Sequence, residues 1–222
     1  LLRINFWFES RWDRQRKEIM IEKSLEEFYK EQFLEHYSVL KKTEEKIFEP
    51  FSRVVSLCVN AIKKENKVIF FGNGGSASDS QHLAAELCVR YSKNRAAIPA
   101  ISLNTDTSVI TAIGNDFGFD YIFSRQIESL GKVGDVAIAI STSGKSPNII
   151  EGLRKSKAMN LKTICFTGSN IENISALSDE IIAIPTKTTS RIQEMHILLG
   201  QMLCNAIESK LGLADFVEIE KF

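Results

Sequence analysis

The sequence predicts an α/β fold: a three-layer arrangement in which a parallel five-stranded sheet is flanked by helices, with an N-terminal helical pair in front of it. Five short apolar runs alternate with segments long enough for helices, which is the pattern of a parallel sheet. Each run is apolar throughout, as in strands covered on both faces. The predicted strands are 68–71, 98–103, 136–140, 163–166 and 181–184. The predicted helices that follow the first strand are 76–91, 119–130, 146–159 and about 190–211.

The region before the first strand is predicted to be helical. Apolar residues recur at helical spacing from 22 to 49, and Pro50 suits the first turn of a second helix. Such a pair ahead of a sheet often serves contacts between subunits. Residues 1–19 differ from the rest because both tryptophans and a polar run precede Met20. They are either an N-terminal extension upstream of the natural start or an extra helix that packs on a partner, and residues 20–222 are predicted to form a single domain.

Composition excludes several classes of protein. Lys+Arg and Asp+Glu both number 28, and this zero net charge argues against a nucleic-acid coat protein. No uninterrupted apolar run approaches the length of a membrane span, so no membrane partner is expected. The four cysteines form no CxxC pair, which favours buried thiols in a reducing cytosol and predicts a cytoplasmic protein.

A glycine-rich segment, 72–79, follows the first predicted strand. Ligands of parallel sheets bind beyond the carboxyl ends of the strands, and glycines allow a close approach of the backbone to a ligand. The segment matches a GxGxxA dinucleotide fingerprint, which requires an acidic residue about 20 positions further on. The nearest one, Asp106, lies 34 residues past Gly72, so a nicotinamide cofactor is not expected. Ser76 or Ser78 is predicted to cap the helix that follows.

A cluster of hydroxyl side chains follows the third predicted strand. It consists of Ser141, Thr142, Ser143 and Ser146, with Gly144 between them. Hydroxyls at a helix start, together with free N–H groups and the helix dipole, favour a bound phosphate. The alternative is an ordinary serine-rich turn in which Ser146 caps the helix, and the phosphate interpretation is favoured.

Three other polar groups are candidates for chemistry. His82 and Glu86 share one helix face, where they could ligate a metal, act as acid and base, or form a plain surface pair. Asn115 and Asp116 could make a turn or hydrogen-bond sugar hydroxyls. His196 is interpreted as a structural histidine.

Five motifs in a fixed order carry a resemblance to a known family. They are GNGGSASDSQHLAAEL, GNDFGF, FSRQ, ISTSGKSPN and RIQEMH. Over about residues 23–210 the sequence resembles the phosphoheptose isomerases of the sugar isomerase (SIS) superfamily. The resemblance implies a SIS, flavodoxin-like fold and a cytoplasmic homotetramer with active sites at subunit contacts, often with zinc. It also implies conversion of the seven-carbon sugar sedoheptulose 7-phosphate to D-glycero-D-manno-heptose 7-phosphate, for the heptose of lipopolysaccharide or other surface glycans.

The same resemblance implies roles for individual residues. The residues implied to bind the substrate are Asn73, Gly74, Gly75, Glu86, Asn115, Asp116 and Gln193. Those implied to hold its phosphate are Ser141, Thr142, Ser143 and Ser146. The implied metal ligands are His82, Glu86, Gln193 and Gln201, and the implied catalytic residues are Glu86 and Gln201.

Gln201 departs from the family pattern because the family has a histidine there, as zinc ligand and acid/base. Glutamine is a poor zinc ligand and cannot transfer protons near neutral pH. The sequence therefore predicts a weakened zinc site. It also leaves open a non-catalytic alternative, a SIS protein of the DnaA-initiator-associating type that binds a sugar phosphate or a protein partner.

Overall fold

The computed structural model describes residues 24–214, and its centre is a five-stranded sheet. The strands are β1 (Val68–Gly72), β2 (Ala100–Ser102), β3 (Val136–Ser141), β4 (Lys162–Thr167) and β5 (Glu180–Ala183). The helices are α1 (Leu25–Ile62), α2 (Gly75–Cys88), α3 (Thr107–Asp116), α4 (Ser124–Leu130), α5 (Pro147–Ala158) and α6 (Thr189–Lys210), with 3-10 turns at Phe119–Tyr121 and Ser175–Leu177.

All strand pairs are parallel, and the strand order is β2-β1-β3-β4-β5. The register aligns Val68 with Val136 at one end of the β1–β3 pair and Gly72 with Ile140 at the other. All five predicted strands are present, and no boundary is shifted by more than two residues. The α/β fold class and the parallel sheet are therefore confirmed.

Successive side chains of each strand enter two separate cores, one on each face of the sheet. Phe70 and Ile138 lie in a core shared with residues of α1, α2 and α6. Phe71 and Ala137 lie in the other, with residues of α4 and α5. There the rings of Phe71 and Phe123 are 5.1 Å apart. Burial on both faces explains why the strands are apolar throughout.

The expected pair of N-terminal helices is wrong, since α1 is a single helix of 38 residues with Pro50 inside it. It begins with a capping box in which Glu27 N–H donates to Ser24 Oγ (3.1 Å) and Ser24 N–H donates to Glu27 Oε2 (3.0 Å). An internal proline removes one helical hydrogen bond and costs about 3 kcal/mol. Val54 and Cys58, which follow the proline, are fully buried in the core, and this packing stabilises the helix beyond it.

The chain divides between Tyr37 and Ser38 into two units. The described part of the first unit is the beginning of α1, where the rings of Tyr29 and Phe33 are 4.9 Å apart. The second unit contains the sheet and every site discussed below. The predicted extension, 1–19, lies outside the described residues, so its boundary and the single domain from 20 stay predictions. Within residues 24–214, no helix is long and apolar enough to cross a membrane.

Helix α3 was not predicted. The sequence analysis considered Asp106 only as the acidic residue of a dinucleotide site, and Asn115 and Asp116 as a turn or as sugar ligands. Asp106 instead caps a helix, because its carboxylate accepts a hydrogen bond from Val109 N–H at 2.9 Å. Asn115 and Asp116 therefore occupy the last turn of α3.

His196 lies within α6, and its ring is packed into the core. Its Nε2 is 3.2 Å from the carbonyl oxygen of Thr167, and its ring meets that of Phe166 edge-on at 5.9 Å. Burial lowers the pKa of His196 to about 4, although the hydrogen bond to Thr167 opposes this shift. The structural role predicted for this residue is confirmed.

The buried imidazole predicts acid sensitivity of the fold. The unfolded chain binds a proton at His196 below about pH 6.5 and the folded chain only near pH 4, so stability falls as pH falls between these values. We expect the free energy of unfolding to fall in both proteins when the pH is lowered from 7 to 5. In His196→Gln, which keeps a donor for Thr167, it should fall by about 2 kcal/mol less than in the parent. Urea unfolding of both proteins at the two pH values measures this difference. An equal loss in both would show that His196 does not titrate on unfolding.

Candidate functional site

The site lies where the strand order reverses direction. The chain passes from β1 to the neighbour on one side, β2, and later returns to β3 on the other side. Ligands of open parallel sheets bind at such a switch point, in the crevice beyond the carboxyl ends of the strands. Because Gly72 is aligned with Ile140, the loop after β1 and the loop after β3 start side by side.

The glycine loop, residues 72–75, is shaped by close contacts. A Cβ on Gly72 would lie 2.6 Å from the carbonyl oxygen of Ser76, so no side chain fits there. Gly74 has a φ of 56° and occupies the N-cap position of α2, so the predicted capping by Ser76 or Ser78 is wrong. A Cβ on Gly75 would lie 2.8 Å from Gln193 Nε2, which shows that α6 brings Gln193 over this loop.

Two asparagines that the sequence analysis gave no role hold the glycine loop. Asn104 replaces a strand partner for Gly72: its Oδ1 accepts from Gly72 N–H at 3.2 Å and its Nδ2 donates to the Gly72 carbonyl at 2.8 Å. On the other side, Asn148 and Asn73 exchange two hydrogen bonds between their carboxamides. Asn148 stands inside the quoted motif ISTSGKSPN, which was the available signal.

The loop of residues 141–146, called the phosphate loop after its predicted ligand, is a tight turn before α5. Ser141 is buried, and its Oγ accepts from Gly144 N–H at 3.2 Å. Gly144 has a φ of 62°, and a Cβ there would lie 2.8 Å from the carbonyl oxygen of Asn170. Lys145 N–H donates to Ser143 Oγ at 3.2 Å. These contacts hold the loop closed at the start of a 12-residue helix, whose first N–H groups point toward the same space.

Ser146 is the N-cap residue of α5, as predicted, and Pro147 is the first residue of the helix. The Ser146 side chain nevertheless makes no capping hydrogen bond. The hydroxyl is therefore not used by the helix. This geometry suits a hydroxyl that binds a ligand at the helix N-terminus.

A second cluster on α2 and α6 brings together His82, Glu86 and Gln201. His82 Nε2 lies 2.9 Å from Glu86 Oε1 and 2.8 Å from Gln201 Nε2. The Glu86 side chain is 23% exposed, so it is largely buried and still accessible. His82 Nε2 carries at most one hydrogen, and it therefore either donates to Glu86 or accepts from Gln201. The cluster places a carboxylate, an imidazole and a carboxamide within reach of one small molecule.

Asp79 is a further carboxyl group beside this cluster that the sequence analysis missed. It lies three residues before His82 on α2, which puts both on one helix face. Burial raises the pKa of Asp79, and the neighbouring His82 partly offsets this effect. Its i, i+3 spacing from His82 was the available signal.

A buried ion pair supports the end of α2 that carries Glu86. Arg95 and Glu208 have side chains that are 2% and 0% exposed, and Arg95 Nε donates to Glu208 Oε1 at 2.6 Å. Arg95 also donates to the backbone carbonyls of Glu86 (2.9 Å) and Leu87 (2.7 Å). These carbonyls belong to the last turn of α2 and lack helical partners, so the guanidinium caps the helix and fixes its C-terminal end.

Comparison with known proteins assigns the family. The family model for the SIS domain matches residues 30–168. A phosphoheptose isomerase of Paramagnetospirillum magneticum is 48% identical over 82% of this chain and 95% of its own length. The chain belongs to the phosphoheptose isomerase family.

Solved structures of this family have the same fold. The phosphoheptose isomerase of Neisseria gonorrhoeae superposes with a TM-score of 0.79 at 38% identity, covering 84% of this chain and 100% of that one. The phosphoheptose isomerase of Francisella tularensis superposes with a TM-score of 0.81 at 28% identity, covering 84% and 99%. The SIS fold inferred from the motifs is thereby confirmed.

Of the four residues that the family resemblance assigns to a metal, hydrogen-bond distances join His82 to Glu86 and to Gln201. Gln193 lies over Gly75, and His82 is about 10 Å further along α2 at 1.5 Å per residue. Among the described residues, no group of three or more His, Cys, Asp or Glu side chains is placed to hold a metal ion. His82 and Glu86 suit zinc, whereas a carboxamide is a weak donor, and the Gln201 amide is aimed at the ring nitrogen that a metal would need. These residues fit zinc poorly.

Asn115 and Asp116 are exposed at the end of α3, where Asn115 Nδ2 donates to Asp116 Oδ1 at 2.7 Å. They are separated from β2 by the length of α3, about 15 Å. Their assignment as sugar ligands of a phosphoheptose isomerase stays a prediction.

The phosphate loop yields a direct test. In a Ser141→Ala, Ser143→Ala, Ser146→Ala triple variant, we expect sugar-phosphate affinity to fall by about a hundredfold or more, since each hydrogen bond to a charged group contributes about 1.5–3 kcal/mol. Calorimetric titration with sedoheptulose 7-phosphate measures the change. Ser52→Ala, on the exposed surface of α1, is the control and should bind as the parent does. Unchanged affinity in the triple variant would place the phosphate elsewhere.

Proposed function

We propose that this protein is an aldose–ketose isomerase that converts sedoheptulose 7-phosphate to D-glycero-D-manno-heptose 7-phosphate. The observation that carries the proposal is Glu86, a largely buried carboxylate on the helix that leaves the glycine loop, 2.9 Å from His82. The names of the relatives, phosphoheptose isomerase, support the same reaction. The product supplies heptose for lipopolysaccharide or another surface glycan.

Substrate binding divides between the two loops at the switch point. The phosphate lies against Ser141, Thr142, Ser143 and Ser146, where the dipole of α5 favours an anion. The glycine loop, with the backbone of Asn73, Gly74 and Gly75, faces the sugar, and Gln193 reaches the same loop. Asn115 and Asp116 bind sugar hydroxyls.

The reaction transfers a proton between C1 and C2 of the sugar. Glu86 removes the proton from C1 of the ketose, and the electrons move onto O2 to form an enediolate. The same carboxyl group returns the proton to C2 while the hydroxyl proton of O1 passes to O2, which leaves the carbonyl of the aldose at C1. A single base that reaches both carbons suffices for this transfer. With its hydrogen on Nε2, His82 donates to Glu86 at 2.9 Å and orients it, and in that tautomer it does not accept from Gln201. Arg95, by capping α2, keeps both side chains in position.

Gln201 supplies a hydrogen-bond donor to the developing enediolate. Its Nε2 lies 2.8 Å from His82 Nε2, so it reaches the cluster that contains the base. A carboxamide stabilises negative charge by donating a hydrogen bond. It does not move protons as a histidine would, and the enzyme is therefore slower than family members with a histidine at this position.

We also propose that the chain binds zinc only weakly. The carboxamides of Gln193 and Gln201 are poor zinc donors, and in this chain Gln201 Nε2 competes for the His82 ring nitrogen. The proton transfer described above uses protein groups alone.

A cytoplasmic location is part of the same proposal. The four cysteines are free thiols, and Cys58, Cys165 and Cys204 are buried. Burial raises the pKa of the Cys58 and Cys165 thiols to about 12, which keeps them unreactive. Free thiols of this kind are typical of a reducing compartment.

The base assignment predicts the effect of one isosteric change. Glu86→Gln keeps the shape of the side chain and removes the proton acceptor, so kcat should fall by about 10²–10⁴-fold with little change in KM. A coupled assay with sedoheptulose 7-phosphate measures both constants. Glu172→Gln, on an exposed loop, is the control. An active Glu86→Gln enzyme would show that another group is the base.

The Gln201 interpretation predicts a gain of function. Gln201→His supplies a second imidazole, so zinc content and kcat should rise together, kcat by about 10–10³-fold. Elemental analysis of the purified protein gives a readout that does not depend on activity. Lys210→His adds a histidine at the exposed end of the same helix and should change neither quantity. If the parent showed no isomerisation and Gln201→His restored none, the non-catalytic alternative would replace the isomerase proposal.

We further propose a homotetramer built partly on α1. An apolar groove of about 370 Å³ between α1 and α6 is lined by residues that include Ile47, Phe48, Phe51 and Met202. Phe48 is 68% exposed, which leaves a large apolar side chain for another copy of the chain to cover.

Light scattering at micromolar concentration should give the mass of four chains. Phe48→Glu should give a smaller species, because assembly would bury an unpaired charge, while Phe48→Leu should remain tetrameric. A monomeric parent would refute the assembly.

A further inference from the structure

The carboxamides of Asn73 and Asn148 form a reciprocal pair that joins two separate loops. Asn73 Nδ2 donates to Asn148 Oδ1 at 2.8 Å, and Asn148 Nδ2 donates to Asn73 Oδ1 at 2.9 Å. Asn73 belongs to the glycine loop after β1, and Asn148 to the first turn of α5, directly after the phosphate loop. Asn148 is 2% exposed, so its hydrogen bonds compete little with water.

The pair changes how Asn73 takes part in binding. Its carbonyl oxygen and one amide hydrogen are engaged by Asn148, so the side chain is turned away from a direct role with the sugar. The neighbouring backbone of Gly74 and Gly75, which are exposed, remains available to the ligand. On the opposite side of the loop, Asn104 holds the backbone of Gly72 through both its N–H and its carbonyl. The position of the glycine loop is thus set by two asparagines from neighbouring loops.

We propose that Asn148 is a positioning residue that couples the phosphate loop to the glycine loop. The inference rests on the proposed function in placing the phosphate of the substrate against residues 141–146. An anion at the N-terminus of α5 orders the first turn of that helix, and Asn148 is part of that turn. The two hydrogen bonds transmit this order to Asn73 and fix Gly74 and Gly75 at the sugar. Binding energy from the remote phosphate is in this way used to orient the reacting end of the substrate.

The location of the pair distinguishes this role from ordinary stabilisation. The other buried polar side chain of α5, Ser156, bonds within its own helix, since its Oγ donates to the carbonyl of Gly152 at 2.8 Å. Asn148 instead bonds to a residue 75 positions away in sequence, across the crevice between β1 and β3. Ser156→Ala therefore removes a buried hydrogen bond from the same helix without touching either loop, and it is the matched control.

The kinetic test compares Asn148→Ala, Asn73→Ala and the double variant with the parent. With the pair broken, kcat on sedoheptulose 7-phosphate should fall by about tenfold to a hundredfold, the loss expected from a misplacement of about 1 Å. The affinity for inorganic phosphate should change by less than about threefold, because these variants leave all the hydroxyls of the phosphate loop in place. The double variant should be no worse than either single variant, since each already breaks the pair. Ser156→Ala should keep the parental kcat.

Additive losses in the double variant would show that the two side chains act separately and would overturn the proposal. A parental kcat in Asn148→Ala would overturn it as well. Asn148→Ser, which retains a small polar group at the buried position, takes the place of the alanine variant if that variant does not fold.

Hydrogen exchange tests the coupling without any need for turnover. In the parent, inorganic phosphate should protect the amides of both 142–150 and 74–78; in Asn148→Ala it should protect only 142–150. Protection of 74–78 that persists in the variant, or that is missing in the parent, contradicts the coupling.

A parent that shows the coupled protection but does not isomerise the sugar would refute the proposed function alone. A parent that isomerises the sugar, with an equally active Asn148→Ala variant, would refute the coupling alone.

Discussion

The in-register parallel pairing of β1 with β3 is the constraint on which the site depends. Because Gly72 is aligned with Ile140, the chain leaves both strands at the same height, and the two loops open into one crevice. A shift of one residue would turn the side chains of β1 to the opposite faces and exchange the residues of the two cores. The continuous apolar sequence of both strands tolerates either face, so the surrounding helices determine the register by packing Phe70 on one side and Phe71 on the other.

Polar groups stabilise this crevice in two tiers. Near the loops, the Asn104 carboxamide substitutes for a strand partner of the Gly72 backbone, and the Asn148 carboxamide pairs with that of Asn73. Deeper in the molecule, Arg95 pairs with Glu208 and caps the C-terminal end of α2. Its hydrogen bond to the Glu86 carbonyl holds that residue in position. A buried ion pair of this kind adds little net stability because both charges are desolvated. Its contribution is geometric, since the guanidinium holds the last turn of the helix at a defined place.

Gln201 places a carboxamide where the family resemblance implies a histidine. Its side chain reaches His82, so the carboxamide lies close to the Glu86–His82 pair. It offers a donor and an acceptor but no proton exchange near neutral pH, and it is a weak metal ligand. In the proposed mechanism, catalysis therefore depends more on the Glu86 carboxylate and on accurate placement of the sugar. That dependence gives the connection between the phosphate loop and the glycine loop its importance.

The sequence by itself determined the layered α/β fold, because strands buried on both faces must be apolar throughout and helices must cover them. It also located the glycine and hydroxyl loops, since ligand loops follow strand ends, and the spacing of His82 and Glu86 put them on one helix face.

The tertiary structure alone decided which distant residues meet. Three such contacts join segments far apart in the chain: Asn148 pairs with Asn73, Arg95 pairs with Glu208, and Gln193 lies over Gly75. Residue spacing encodes contacts within one element, whereas these contacts depend on strand order and helix packing. The continuation of α1 through Pro50 has the same cause, because burial of Val54 and Cys58 outweighs the local preference of proline to end a helix.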